Sequence, residues 1–560
     1  MSPDYEVIIL GGGLAGLTLA KQLRADCFER IGVVDRASLP CDRDQLKLGE
    51  STVEGGAWYL GVRLGMRRHL DEEHVAKFGL RFFFPDGENR DIATRTEMGP
   101  QHAEAFWAGL RPPSFQLHRG RLEHALARDL AADGVDLLDG RAVVGIDIGE
   151  PTRVHFDDGR VLTARWVVDA SGRAGFLRRK LGLVRDLPHA IRAAQGWVRG
   201  RIDPEAWSRD EDFRSRISSG ARVHSTIHLM GQGYSIWMIP LVGDITSIGV
   251  VAHPSGQALA GVEDRAGLEA WLAVHEPQLF AQIEALGWVE PGPRVGDFGA
   301  HVTRTLISPA RWAMCGEAAA QIDPLYSSGI DLLAVANEMI CATLRDDREG
   351  RLTPARIERR NEVFAQLVKQ LLPVYRDAYR FVGDPRVGKA KIVWDVGVYL
   401  GFIAPLIMSG EFGGDEPMKS VLDVSARIVR LNHAVQRICL DWQAQRALRT
   451  PAAGRSPASI DFASVEAVGT AFRRLGAPPD RAGLRKHCLE TLEQLERLAL
   501  ATGVAAATDL GYRLPAGAID PGAFVLDDEA LARGDMLHPR RGRPLCASVQ
   551  ASAASLLADA

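Results

Sequence analysis

The chain has 560 residues, 46% of them apolar and 25% charged, with a formal net charge of −4. That length exceeds one simple core and suits two or three domains. The balance of 67 basic against 71 acidic residues, with no long Lys/Arg run, leaves no electrostatic footprint for a nucleic acid partner. The cysteines number seven, an odd count with no CxxC pair, which argues against a disulfide framework or zinc site and fits a reducing cytosol. Asp4 and Glu6 stand where a signal peptide would be basic, so a cytoplasmic protein is expected.

EVIIL at 6–10 reads as a buried parallel strand, followed by glycines, then by LAGLTLAKQLRA at helical spacing, then by a second strand, IGVVD at 31–35. Together they form a βαβ unit. Gly11, Gly13 and Gly16 make G-x-G-x-x-G at the strand–helix turn. The first glycine permits the turn, the second admits a pyrophosphate to the helix N-terminus formed with Leu14 and Ala15, and the third lets helix and strand pack. Asp35, nineteen residues after Gly16, ends the next strand where a carboxylate can bond a ribose hydroxyl. A helix is expected over 120–134. RWVVDASG at 165–172 reads as another buried strand ending in a turn.

From about 190 to 300 the pattern alternates with period two, the mark of an antiparallel sheet facing a site. RWAMCGEAA at 311–319 returns to the strand–glycine–helix pattern. Beyond about 330 helices dominate. Residues 396–408 are apolar but too short to span a bilayer and carry Pro405, so they read as buried or substrate-facing, with no membrane partner. Residues 449–459 read as a linker, and the last fifteen, rich in Ala and Ser, as frayed. The expected architecture is α/β: a Rossmann-like dinucleotide-binding core over 1–345, to which 75–115 and 185–300 contribute a mixed substrate-side sheet, and a mostly helical region over 346–560 that caps the substrate site.

VVDASGR at 167–173 and CGEAAAQIDP at 315–324, with the first glycine motif and Arg119, resemble the fingerprints of flavin monooxygenase-like proteins. No second G-x-G-x-x-G lies in a βαβ context, so NAD(P)H is expected to lack a domain of its own. KLGEST at 47–52, KFGLRFFF at 77–84, IWMIPL at 236–241 and DPLYSSGIDL at 323–332 resemble, in order and spacing, blocks of the flavin-dependent halogenases. In that family reduced flavin and O2 oxidise halide to hypohalous acid, which travels to a lysine beside an aromatic substrate. The resemblance implies FAD supplied as FADH2 by a separate flavin reductase, chloride or bromide as co-substrate, and a small phenol- or pyrrole-type substrate, free or on a carrier protein. It implies that Lys77 is catalytic and that Lys47, Glu50, Ser51, Arg119, Asp169, Gly316, Glu317, Gly329 and Ile330 join the glycine motif and Asp35 in binding the flavin. Ser327, Ser328 and Gly329 match the halide loop, where backbone amides can form an anion nest. Trp237, Pro240 and Tyr326 fall on the substrate side. Burial of Lys77 would lower its pKa and favour a free amine over a cation.

Three departures bear on the chemistry. Ser235 replaces the first tryptophan of the family's WxWxIP motif. Glu317 stands where many members have Asp. Tyr326 replaces the glutamate of the tryptophan-specific members, removing a carboxylate from beside the lysine. Two alternatives stay open: a flavin-dependent aromatic hydroxylase or oxidase, which the lost tryptophan favours, and a flavoprotein scaffold without catalysis. His224 and His228, four apart in an alternating segment, would share a strand face and could line a pocket, although two ordinary sheet residues are the simpler reading, and Tyr234 reads the same way. Trp394 and Tyr399 read as core packing. No His/Cys/carboxylate group has metal-ligand spacing, so no metal is expected.

Overall fold

The computed structural model describes residues 2–85, 87–104, 114–256, 258–448, 459–538 and 540–557. Two sheets organise it. The first runs in the order Ile307–Ser308, Trp312–Met314, Val161–Asp169, Tyr5–Leu10, Ile31–Val34 and Asp136–Leu138, with the four pairings that link its last five strands parallel. Its central strand is covered on both faces, which is why residues 7–9 are an unbroken apolar run with no measurable exposure. The helix Leu14–Ala25 packs against it, as the glycine motif requires. The helix expected over 120–134 occupies Arg119–Ala132.

The second sheet is mixed and larger. Its order is Ala320–Gln321, Arg294–Thr303, Val184–Arg199, Ile245–Ala252, Tyr234–Leu241, Thr226–Gly231, Leu80–Phe84, Thr96–Gly99 and Ser459–Asp461. The last strand comes from the C-terminal half and pairs parallel with Thr96–Gly99. At this end Glu97 is fully buried and accepts hydrogen bonds from Arg81 at 2.8 Å and from two nitrogens of Arg222, both at 3.0 Å.

The helix Gly329–Arg348 crosses the boundary drawn at 345 and runs through the core; Asn337, fully buried on it, donates to the Tyr59 hydroxyl at 2.9 Å. Beyond it lie Pro354–Arg376, Pro385–Val398, Leu422–Ala447 and Arg481–Leu510. Asp384 starts the second of these by accepting the Arg386 amide at 2.9 Å.

Two sequence expectations are corrected here. The apolar segment is not confined to 396–408: Pro385–Gly413 is helical enough and apolar enough to cross a membrane by length and composition, and 72% of its most apolar window is buried inside the protein. Pro405 does not end it. A wide π-helical turn, Tyr399–Ile403, precedes the proline. The Gly401 carbonyl, four residues before Pro405 and deprived of its helical donor, is paired instead with His487 Nε2 and Thr491 Oγ1, each at 3.0 Å. The C-terminus is not frayed through 557, because Ala547–Leu557 is a helix with Val549, Ala553 and Leu556 buried. Residues 449–458 of the expected linker lie outside the described residues, and Ser459 opens a strand.

Candidate active site

The three glycine-bearing motifs meet at one place. A Cβ on Gly11, whose φ is +117°, would lie 2.4 Å from the Ala170 carbonyl oxygen, next to Asp169. A Cβ on Gly316, with φ +60°, would lie 2.7 Å from the Ala15 Cβ. On Gly16 it would fall 1.9 Å from the Gly11 oxygen. On Gly13 it would meet nothing within 4 Å. The helix that starts at Leu14 has no side-chain cap, so its first amides face open space, the arrangement that takes an anion. Asp35 is braced by the Gly12 amide at 2.7 Å and the Ala37 amide at 2.9 Å. Asp169 is fully buried and holds its own turn, accepting from the Ser171 amide at 3.0 Å and the Leu177 amide at 2.6 Å. Glu317 is half exposed, 3.9 Å from Arg173. An open helix N-terminus, a carboxylate at the second strand end and close-packed glycines are what a flavin dinucleotide needs, and these residues fit it.

Lys47 and Arg119 converge on a residue the sequence reading passed over. Glu123, buried, pairs with Lys47 at 2.6 Å and with Arg119. Burial pushes its carboxyl up, but the two cations outweigh that and hold it below its usual range. The Arg119–Glu123 spacing of one helical turn was the available signal. Glu50, also buried, accepts from Trp197 Nε1 at 2.5 Å, and burial raises its pKa to about 7.

Lys77 is 3% exposed. Its Nζ donates to Ser51 Oγ at 2.8 Å and to the Thr52 carbonyl at 2.7 Å. Burial lowers its pKa to about 8, against the opposing fields of Glu54 and Asp331. Burial thus moves the group toward the free amine, as expected, while a pKa of about 8 leaves the ammonium the main form at neutral pH. Burial also raises the Glu54 carboxyl, and raises Asp331 to about 7 with Glu54 adding to it. Glu54 and Asp331, from other elements, are the carboxyl groups whose fields reach Lys77. Asp331 stood in the quoted block at 323–332, and Glu54 three residues after Ser51, but nothing local tied either to Lys77.

His228 lies on the Thr226–Gly231 strand, stacked on Phe82 with ring centroids 5.0 Å apart. Burial, then the Lys77 charge, lowers its pKa to about 3, so it is a neutral imidazole. His224 does not share that strand face, because it belongs to the preceding 3-10 turn Arg222–His224. Tyr234 is structural, donating to Glu276 at 2.8 Å. Ser235 and Trp237 share the face of His228, which pairs directly with Trp237. The Trp237 ring lies over Gly249, where a Cβ would come within 2.0 Å of it. Strand register puts Trp197 on this face too, so a second indole comes from a different strand. Pro240 pairs with Thr246 farther along.

The loop carrying Ser327 and Ser328 is held at three points. Asp323 accepts from His189 at 2.7 Å, from Tyr379 at 3.0 Å and from the Leu325 amide at 2.8 Å. The Tyr326 hydroxyl donates to Asp395 at 2.9 Å. Ser328 Oγ bonds the Tyr375 hydroxyl at 2.7 Å. Ser327 takes φ +60°, and Gly329 opens the long helix with nothing within 4 Å of its Cβ position; Ile330 behind it is buried. Tyr399 lines the cavity beside this loop, whereas Trp394 is fully buried in the core. Among the described residues no group of three or more His, Cys, Asp or Glu could hold a metal ion.

No family model matches the chain. It is 27% identical over 438 residues to flavin-dependent halogenase chlA of Dictyostelium discoideum, spanning 72% of this chain and 70% of that protein. The chain is related to the flavin-dependent halogenases. It is 24% identical over 351 residues to a 1H-pyrrole-2-carbonyl-(peptidyl-carrier protein) chlorinase of Pseudomonas fluorescens, spanning 59% of this chain and 73% of that protein. The fold matches the crystal structure of halogenase PltM with a TM-score of 0.63 at 16% identity, over 88% of this chain and 97% of that one. The protein is a flavin-dependent oxidoreductase, and its cofactor is FAD.

Proposed function

We propose that this protein is an FADH2- and O2-dependent halogenase of electron-rich aromatics of the phenol or pyrrole type. One observation carries the reading: Lys77 is held out of bulk water by Ser51 and Thr52, flanked by two buried carboxyl groups. Bound FAD, reduced by a separate flavin reductase, supplies the electrons that turn O2 and halide into hypohalous acid. Gly11, Gly13, Leu14, Ala15 and Gly16 would hold the dinucleotide through the uncapped helix N-terminus, with Asp35 at the ribose. Lys47, Glu50, Ser51, Arg119, Gly316, Glu317, Gly329 and Ile330 would complete the flavin site, and Asp169 would shape its turn. The amides of Ser327, Ser328 and Gly329 suit a halide.

Lys77 would then hydrogen-bond the hypohalous acid as an ammonium and polarise its O–halogen bond toward the ring. That role needs a cation that is desolvated yet still protonated at neutral pH, which a pKa of about 8 allows. Trp237, on the sheet, and Tyr326, on the loop, would bound the substrate side, whereas the register turns Pro240 to the opposite face from Trp237. The pyrrole chlorinase among the relatives makes a carrier-bound substrate an alternative to a free one.

Ser235 favours a second reading, hydroxylation, because the smaller side chain leaves less between substrate and flavin. An aerobic assay separates the two. It contains FAD-loaded protein, a flavin reductase, NADH, a panel of phenols and pyrroles, and chloride or bromide, with products read by mass spectrometry. Halogenated product that vanishes in Lys77→Ala supports the halogenase. Hydroxylated product indifferent to halide overturns it.

A further inference from the structure

Between the long core helix and the C-terminal helices lies a cavity. Its walls are mainly aliphatic, with Leu332, Val335, Leu371, Val396, Ile403 and Ile407 among them.

The polar groups on these walls are nearly all committed. Tyr326 donates to Asp395, which also receives Lys391 and Gln436. Ser328 and Tyr375 bond one another. Asn432 accepts from Trp394 at 2.9 Å. Tyr399 accepts from the Gly55 amide at 2.9 Å. Asp331 differs. It is 4% exposed, it lines the cavity, and neither carboxylate oxygen meets a donor in good hydrogen-bond geometry. The Tyr399 hydroxyl and the Gly56 amide lie close by. Even with the Tyr399 proton turned toward it, the carboxylate keeps acceptor positions to spare. A buried acceptor left unmade is costly, so a native protein that keeps one facing a cavity is arranged for a ligand that brings the donor.

We propose that Asp331 is the substrate-anchoring residue of this cavity, accepting a hydrogen bond from the hydroxyl of a phenol whose alkyl or acyl chain fills the aliphatic walls. The two requirements are separate: one donor for one carboxylate, and apolar bulk for the rest. Lys77 and Asp331 each feel the other's charge. The proposal deepens the halogenase reading and rests on it for the reaction, but the binding it describes is measurable without turnover.

The test is calorimetric titration of the FAD-loaded full chain with three probes: 4-hexylphenol, its O-methyl ether, and phenol. 4-Hexylphenol is expected to bind at least tenfold more tightly than either the ether, which lacks the donor, or phenol, which lacks the chain. Asp331→Leu should lose that preference, binding 4-hexylphenol and the ether alike. Leu371→Trp, which fills the cavity from its wall, should weaken both chained probes tenfold and keeps the test open if Asp331→Leu does not fold. Equal binding of 4-hexylphenol and its ether to the wild-type protein, or no binding of any probe, overturns the proposal. Selective binding without halogenation would leave it standing while the halogenase reading falls. Halogenation by the wild-type protein with no preference for 4-hexylphenol over its ether would do the reverse.

Discussion

Replacing Lys77 by Met is expected to separate stability from chemistry. Methionine has a similar length and fills the same space without charge or donor. The wild-type ammonium is buried, with a pKa of about 8 against an ordinary value of 10.5. Between those values the unfolded chain holds a proton that the folded chain has released, so wild-type stability rises with pH across that window. Linkage gives a penalty of about 3 kcal/mol at pH 7 and about 1 kcal/mol at pH 9.5, a recovery of about 2 kcal/mol. The Met variant has no such group. The wild-type Tm should therefore gain on the variant's by roughly 2 °C between pH 7 and pH 9.5, given the unfolding entropy of a chain this long. Thermal melts of both FAD-loaded proteins at the two pH values read this directly, and halogenation assays on the same samples read the chemistry. A Tm difference that does not move with pH would refute the buried ammonium. A variant that still halogenates at the wild-type rate would refute its role.

Turnover should fall as pH climbs through about 8, because the deprotonated Lys77 no longer polarises the oxidant; a pH–rate profile that keeps rising there would contradict the cationic role. Gly16→Ala should abolish flavin binding, since its Cβ would sit 1.9 Å from the Gly11 oxygen, and the purified protein should lack the yellow flavin band. Glu97→Gln should destabilise by about 3–5 kcal/mol, because it leaves the fully buried Arg81 and Arg222 without their carboxylate. Denaturant melts check this, and an unchanged midpoint would show that the cluster is not coupled to folding.

The glycine motif, Asp35 and the strands around them were legible because each is a local pattern. A βαβ turn is built from contiguous residues, so the spacing of Gly11, Gly13 and Gly16 already states the geometry. The alternation over 190–300 announced a sheet for the same reason. Lys77 was legible only by resemblance, since a buried lysine and a solvated one look the same in a sequence. Its surroundings were not legible at all. Glu54, Asp331, His228 and Tyr399 come from four separate elements, and no spacing rule links them. Pro405 does not break the helix, because His487 and Thr491 reach in from another helix to pair the Gly401 carbonyl it orphans. Local sequence determined which dinucleotide-binding unit this chain builds. Tertiary packing alone decided how strongly Lys77 is desolvated, which carboxyl groups face it and which of them stays unpaired, because burial and electrostatic neighbourhood are properties of the assembled interior and not of any stretch of chain.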